Sequence, residues 1–317
     1  MINVLKRLFA AIGFVAACLP ALALAQQPIS DPDEIIVDAP GPALWRMSDA
    51  DSDVLILGSV AVLPRNVRWN SRPFEAALAR ADRLYIERPM GVGGLRAIRV
   101  LASQRDVFEN PNGARLRDFL PAPLYARTQA VAARLDVPMD SLERLRPHTV
   151  GSGLIRATVP AQGLAFVDMN DQTSGLARRA RVRVTELETV QMPALLRAMN
   201  DMPLGADTAC LDSQLDTIER QGPLLRDRST AWARGDTAAL RQFAALVDPT
   251  RCFESIATGG VNFRAVMRGR VMIWRDTLLQ SMQRQGVRVA VIETGLLLEP
   301  GGVLDALRES GANITNE

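Results

Sequence analysis

Apolar and polar positions follow two rhythms along this chain, and the change between them marks out its elements. Short apolar runs at 44–47 and 54–58 flank Ser48-Asp49-Ala50-Asp51-Ser52-Asp53, a stretch of turn chemistry, and so predict a β-hairpin. The run Val54-Leu55-Ile56-Leu57 is apolar on both faces, which puts it inside a sheet. Ser71-Arg72-Pro73-Phe74-Glu75 offers an N-cap residue, an early proline and a first-turn acid, predicting a helix that ends near Ala81. A strand over 83–87 follows and ends on Glu87. Strand, helix and strand in this order suggest a right-handed crossover within a mixed sheet.

Beyond residue 120 the spacing becomes helical. It covers 123–135, 139–145, the stretch after Pro147, 190–199 and 262–285, while 208–248 reads as a helix pair broken at Gln221-Gly222-Pro223 and Gly235-Asp236. Strands return at 182–187 and 288–292, followed by a loop over 293–301, a helix over 302–310 and a last strand near Asn313. The predicted class is α/β (α+β), a mixed central β-sheet flanked by many helices, in a single domain over 43–317.

The first residues follow different rules. Lys6 and Arg7 precede an apolar stretch over 8–19, Pro20 interrupts it, and Ala23-Leu24-Ala25 forms a small-x-small cleavage pattern. This predicts a signal peptide over 1–25 and an extended lead-in over 26–42. Val15-Ala16-Ala17-Cys18 supports a second reading, a lipoprotein that begins at Cys18. Either maturation exports the protein, so it is expected to be periplasmic or secreted. No later segment is long and apolar enough to span a bilayer, and no transmembrane helix is expected in the mature chain.

Composition narrows the chemistry. Lys6 is the only lysine, which excludes a Walker lysine, a Schiff-base lysine or a Ser-Lys dyad. His148 is the only histidine, so multi-histidine zinc sites are excluded and a Ser-His-Asp relay could form nowhere else. Losing Lys6 and Arg7 with the leader takes the 37 basic residues to 35, equal to the 35 acids. A neutral chain with scattered arginines makes no case for nucleic acid. Cys210 and Cys252 are left as a pair, for which a disulfide is expected in an oxidising compartment, two unpaired buried thiols being the alternative.

Three local patterns fall at carboxyl ends of strands, where α/β proteins place their chemistry. They are Gly58-Ser59-Val60-Ala61-Val62-Leu63-Pro64, Tyr85-Ile86-Glu87, and Glu293-Thr294-Gly295-Leu296 before Pro300-Gly301-Gly302-Val303-Leu304. With the opening Leu44-Trp45-Arg46, the strand end Leu187-Glu188-Thr189 and the turn Ala231-Trp232-Ala233-Arg234-Gly235-Asp236, the chain resembles the TraB/GumN family, related to the Tiki proteases. The resemblance implies a metal site made of two Gly-x-x-His motifs, a strand-end glutamate and an arginine on the helix before the last main strand. Carried onto this sequence, the glutamate is Glu87 and the arginine Arg270. The two histidine positions read Ala61 and Leu296, and Glu293 replaces the second motif's glycine.

A methyl and an isobutyl group cannot ligate a metal. The resemblance therefore implies an exported protein with a degenerate peptidase site. It would hold an unknown peptide or small-molecule ligand in a former-site cleft around Ser59, Ala61, Glu293 and Leu296, without catalysis and without a cofactor. A divalent cation on Glu87 and Glu293 is the remaining cofactor option. The alternative function is a hydrolase with Glu87 as general base and Arg270 stabilising negative charge. Residue by residue, plainer roles are expected: Glu87 pairing with Arg270, Ser59 as a turn hydroxyl, Glu188 capping the following helix, Glu293 in water, and His148 packed at a helix start.

Overall fold

The structure, a computed structural model, describes residues 41–65, 68–88, 105–190, 192–246 and 263–316. Strands β1 (Leu44–Ser48), β2 (Ser52–Ser59) and β3 (Val62–Pro64) lead to helix α1 (Arg72–Leu78) and β4 (Ala81–Glu87). The middle holds α2 (Arg105–Phe108), α3 (Ala122–Arg134), α4 (Pro147–Ala161), β5 (Leu164–Phe166), α5 (Met169–Arg179) and β6 (Arg183–Leu187). Then come α6 (Met192–Asn200), α7 (Leu204–Gln221), α8 (Leu225–Ala233), α9 (Thr237–Leu246) and α10 (Phe263–Met282). The chain finishes with β7 (Gly286–Glu293), α11 (Thr294–Leu298), α12 (Val303–Glu309) and β8 (Ile314–Asn316).

Six strands form a mixed sheet in the order β6-β4-β7-β2-β1-β8. The four from β6 to β2 run parallel, and β1 is antiparallel to both β2 and β8. The expected hairpin is present, with Leu44 opposite Leu57 and Ser48 opposite Asp53. Covered on both faces, β2 buries Val54 through Leu57 almost completely, as its unbroken apolar run requires. The crossover from β2 through α1 to β4 stays within one sheet, but β7 inserts between the two strands.

Three features were not visible in the residue pattern. Over 139–145 the expected helix shortens to a single turn at Met139–Ser141. Its backbone is used elsewhere: the carbonyls of Glu143 and Arg144 accept from the N–H groups of Leu116 and Asn110, and Leu145 bridges to Glu109. The expected loop over 293–301 contains α11, whose Leu296, Leu297 and Leu298 are buried. A second, two-stranded sheet pairs β3 with β5, with Val62 opposite Phe166, across about a hundred residues of sequence. Three-residue strands are too short to show a period of two.

The main core packs both faces of the large sheet. A second apolar cluster, including Leu116, Val131, Val150, Leu154, Leu211 and Leu215, sits among α3, α4 and α7. No helix of the described residues is long and apolar enough to cross a membrane.

Candidate functional site

Parallel register brings the strand-end residues together. Ser59 and Glu293 are partners at the carboxyl ends of β2 and β7, and Glu87 ends β4, whose Ile86 pairs with Val291. Three neighbouring strands thus deliver a hydroxyl and two carboxylates to one edge of the sheet, the edge where open α/β sheets bind ligands. Gly58 allows the tight approach there. A Cβ at this position would come within 2.9 Å of the Thr294 hydroxyl, which donates to the Ser59 carbonyl. The Trp232 indole donates to the Gly58 carbonyl at 2.6 Å.

Both carboxylate oxygens of Glu87 are engaged. Oε2 accepts from Arg270 Nη2 at 2.7 Å, and Oε1 accepts from Trp274 Nε1 at 2.8 Å. The two donors are four residues apart on α10, hence on one face of it. Asn170, on α5, donates to the Glu87 backbone carbonyl at 3.1 Å. Arg270 Nη2 also reaches Glu293 Oε2 at 3.4 Å, while its Nε is buried without a hydrogen-bond partner among the described residues. Burial works against the Arg270 charge, but the field and hydrogen bond of Glu87, with those of Glu293, more than offset it and push its pKa up. The guanidinium is a fixed cation between two carboxylates.

In front of this edge lies a cleft of about 530 Å³, lined among others by Ser59, Ala61, Glu87, Phe166, Arg228 and Glu293. The volume falls within the usual range for small-ligand sites. Ala61 is exposed on the cleft wall, and Glu293 keeps half its side chain in solvent. Leu296 is placed differently: it is buried in the main core and does not line the cleft. Arg228 was not picked out by sequence reasoning. Its position one helical turn before Trp232, which holds the Gly58 carbonyl, was the available signal.

The donor set does not suit the transition-metal centre that the resemblance implies. Of the two positions to which the resemblance assigns histidine, Ala61 puts a methyl group on the wall and Leu296 an isobutyl group in the core, and an arginine cation stands between the two carboxylates. Among the described residues no three His, Cys, Asp or Glu side chains gather as an ion would need.

Elsewhere, Glu188 accepts from Arg88 at 3.0 Å in an exposed ion pair. Cys210 is fully buried on α7, and Cys252 lies outside the described residues. His148 is buried near the start of α4, with Nδ1 2.9 Å from Asp207 Oδ1.

A mixed sheet with a charged cleft at the carboxyl ends of its parallel strands defines the class of protein. A model of the TraB/PrgY/gumN family matches residues 43–316, nearly the whole chain, and the protein belongs to that family. Comparison with curated proteins and with solved structures gave no significant match.

Proposed function

We propose that this chain is an exported member of the family in which the metal-peptidase centre has given way to an ion-paired cleft. The cleft holds a peptide or small molecule without cleaving it. One observation carries the reading: Arg270 bridges Glu87 and Glu293 while Trp274 takes the remaining Glu87 oxygen. A carboxylate in this setting is a structural counter-ion. To act as a general base Glu87 would have to take up a proton while its two oxygens hold Arg270 and Trp274, leaving that buried guanidinium only the longer contact to the half-exposed Glu293. The hydrolase alternative therefore has the weaker support. Export follows the leader over 1–25, and in that compartment a Cys210–Cys252 disulfide would tie α7 to the segment before α10.

The test has a negative and a positive arm. Protein incubated with Zn²⁺ or Mn²⁺ and then dialysed should hold far less than one metal per chain by elemental analysis. It should cleave a mixed peptide library no faster than Glu87→Gln does. Stoichiometric metal, or turnover lost in Glu87→Gln, would overturn the proposal. In the positive arm, peptides from that library should raise the Tm, and Ala61→Trp, which fills the cleft from its exposed wall, should abolish the shift.

A further inference from the structure

Among the described residues, every charged group that lines the cleft has a close partner except one. Glu87 is held by Arg270 and Trp274, Glu293 lies near Arg270, and the Asp168 carboxylate accepts from the Asp171 backbone N–H at the start of α5. Arg228 also lines the cleft and is partly buried, yet among the described residues it makes no hydrogen bond and no ion pair. Burial holds its guanidinium below the ordinary arginine range, and the field of Glu293 only partly restores it. Arginine nonetheless remains a cation with five N–H donors in a planar fork. Such a group, drawn out of bulk water and left unpaired, is a poor arrangement for the free protein and a good one for a receptor.

Another part of the wall is apolar. Val60, Val62, Val159 and Phe166 line the same cleft, and Phe166 is 50% exposed with the Arg156 guanidinium 4.9 Å from its ring centroid. An exposed aromatic beside an apolar wall suits a ligand with an apolar body. The Arg228 fork offers a place for one carboxylate, and Glu293 and Asp168 on the same wall oppose a group of higher negative charge.

We propose that the cleft is a receptor for a monoanion, a carboxylate at the end of an apolar body, with the carboxylate bidentate on Arg228 and the apolar part against Val60, Val62, Val159 and Phe166. This rests on the ligand-holding reading above and specifies its ligand. Two sources share this chemistry, the C-terminus of a peptide ending in an apolar residue and a free aliphatic acid.

The test is calorimetric titration of the full mature chain and its Arg228→Gln variant. The probes are N-acetyl-leucine, its amide, octanoate, a leucine-terminated tetrapeptide and inorganic phosphate. The acids should bind at least about tenfold tighter than the amide, the usual margin of a charge-assisted bidentate contact over a neutral one. Arg228→Gln should remove that preference without lowering the Tm, since it deletes an unpaired desolvated charge. The tetrapeptide binding tighter than octanoate identifies a chain terminus as the source, and the reverse order identifies a free acid. Equal binding of acid and amide, acid binding unchanged in Arg228→Gln, or phosphate binding tightest would each overturn the proposal. If acid and amide bind equally and Ala61→Trp removes both, the anion subsite fails while the ligand-holding cleft stands. If no probe binds, the proposal fails, and the peptide shift lost in Ala61→Trp still decides the cleft independently.

Discussion

At the head of α4, the Asp207 carboxylate accepts from Arg146 Nε at 2.7 Å and from the His148 backbone N–H at 2.6 Å, with His148 Nδ1 2.9 Å away. The two terminal nitrogens of Arg146 donate to the carbonyls of Asn200 and Met202. At the sheet edge, Glu87 and Arg270 form the same kind of pair, but among the described residues Arg270 Nε has no hydrogen-bond partner and Arg228 nearby no hydrogen bond or ion pair, and Glu293 is half in solvent. The first cluster also borders a cavity, of about 610 Å³, but its Asp207 is fully buried with both carboxylate oxygens engaged, and it ties α4 to α7 and to the end of α6. The second is open to a cleft and has donors to spare. Equivalent groups thus serve cohesion in one place and are left available in the other, and the number of unspent hydrogen bonds separates the two.

The contrast fails or sharpens on three substitutions. Asp207→Asn strips the anion from the buried Arg146 guanidinium at the head of α4, and should cost about 3–5 kcal/mol in urea unfolding. Glu87→Gln should cost less, about 2 kcal/mol, because Glu293 stays 3.4 Å from Arg270 and can take over part of the pairing. Equal losses would show the sheet-edge cluster to be as structural as the other. The smallest effect is expected at Glu299, whose carboxyl is pushed above its ordinary value of 4.5 by burial and by Glu293, with Arg270 pulling the other way. A carboxyl raised in the folded state favours the fold while it is protonated, and that contribution is lost as pH rises through the raised value. Glu299→Gln should therefore leave the Tm unchanged near pH 4 and raise it slightly at pH 7. A variant less stable than the parent at pH 7 would show that Glu299 is held as a useful anion.

Much of the sheet edge was legible in advance because it is local. Glu87 and Ser59 end apolar runs, and a strand's last residue can be read from the run that precedes it. The Arg270 pairing with Glu87 came from the resemblance, which places an arginine on the helix before the last main strand. Trp274 and Arg228 were harder. Each is one turn from a residue already singled out, but which face of α10 or α8 meets the sheet depends on helix packing, which sequence spacing leaves open. The position of Leu296 was equally hidden. The stretch over 293–301 contains Gly295, Pro300, Gly301 and Gly302 and reads as a loop, yet three consecutive leucines fold it inward as α11. Gly302 permits this return, since a Cβ there would lie 2.5 Å from the Leu296 carbonyl oxygen.

The sequence by itself determined which chemistry is possible. With one histidine and one lysine, the remaining groups are carboxylates, arginines, hydroxyls and backbone, and composition does not change on folding. It also determined the core strand β2, because an unbroken apolar run has only the inside of a sheet to occupy. Tertiary structure alone decided how those groups are used. Parallel register aligned Ser59 with Glu293, α10 brought two donors four residues apart onto Glu87, and α8 left Arg228 lining a cleft with no hydrogen-bond or ion-pair partner among the described residues. Whether a charged residue is a satisfied counter-ion or an available contact depends on the partners within about 3 Å, and those partners come from distant parts of the chain.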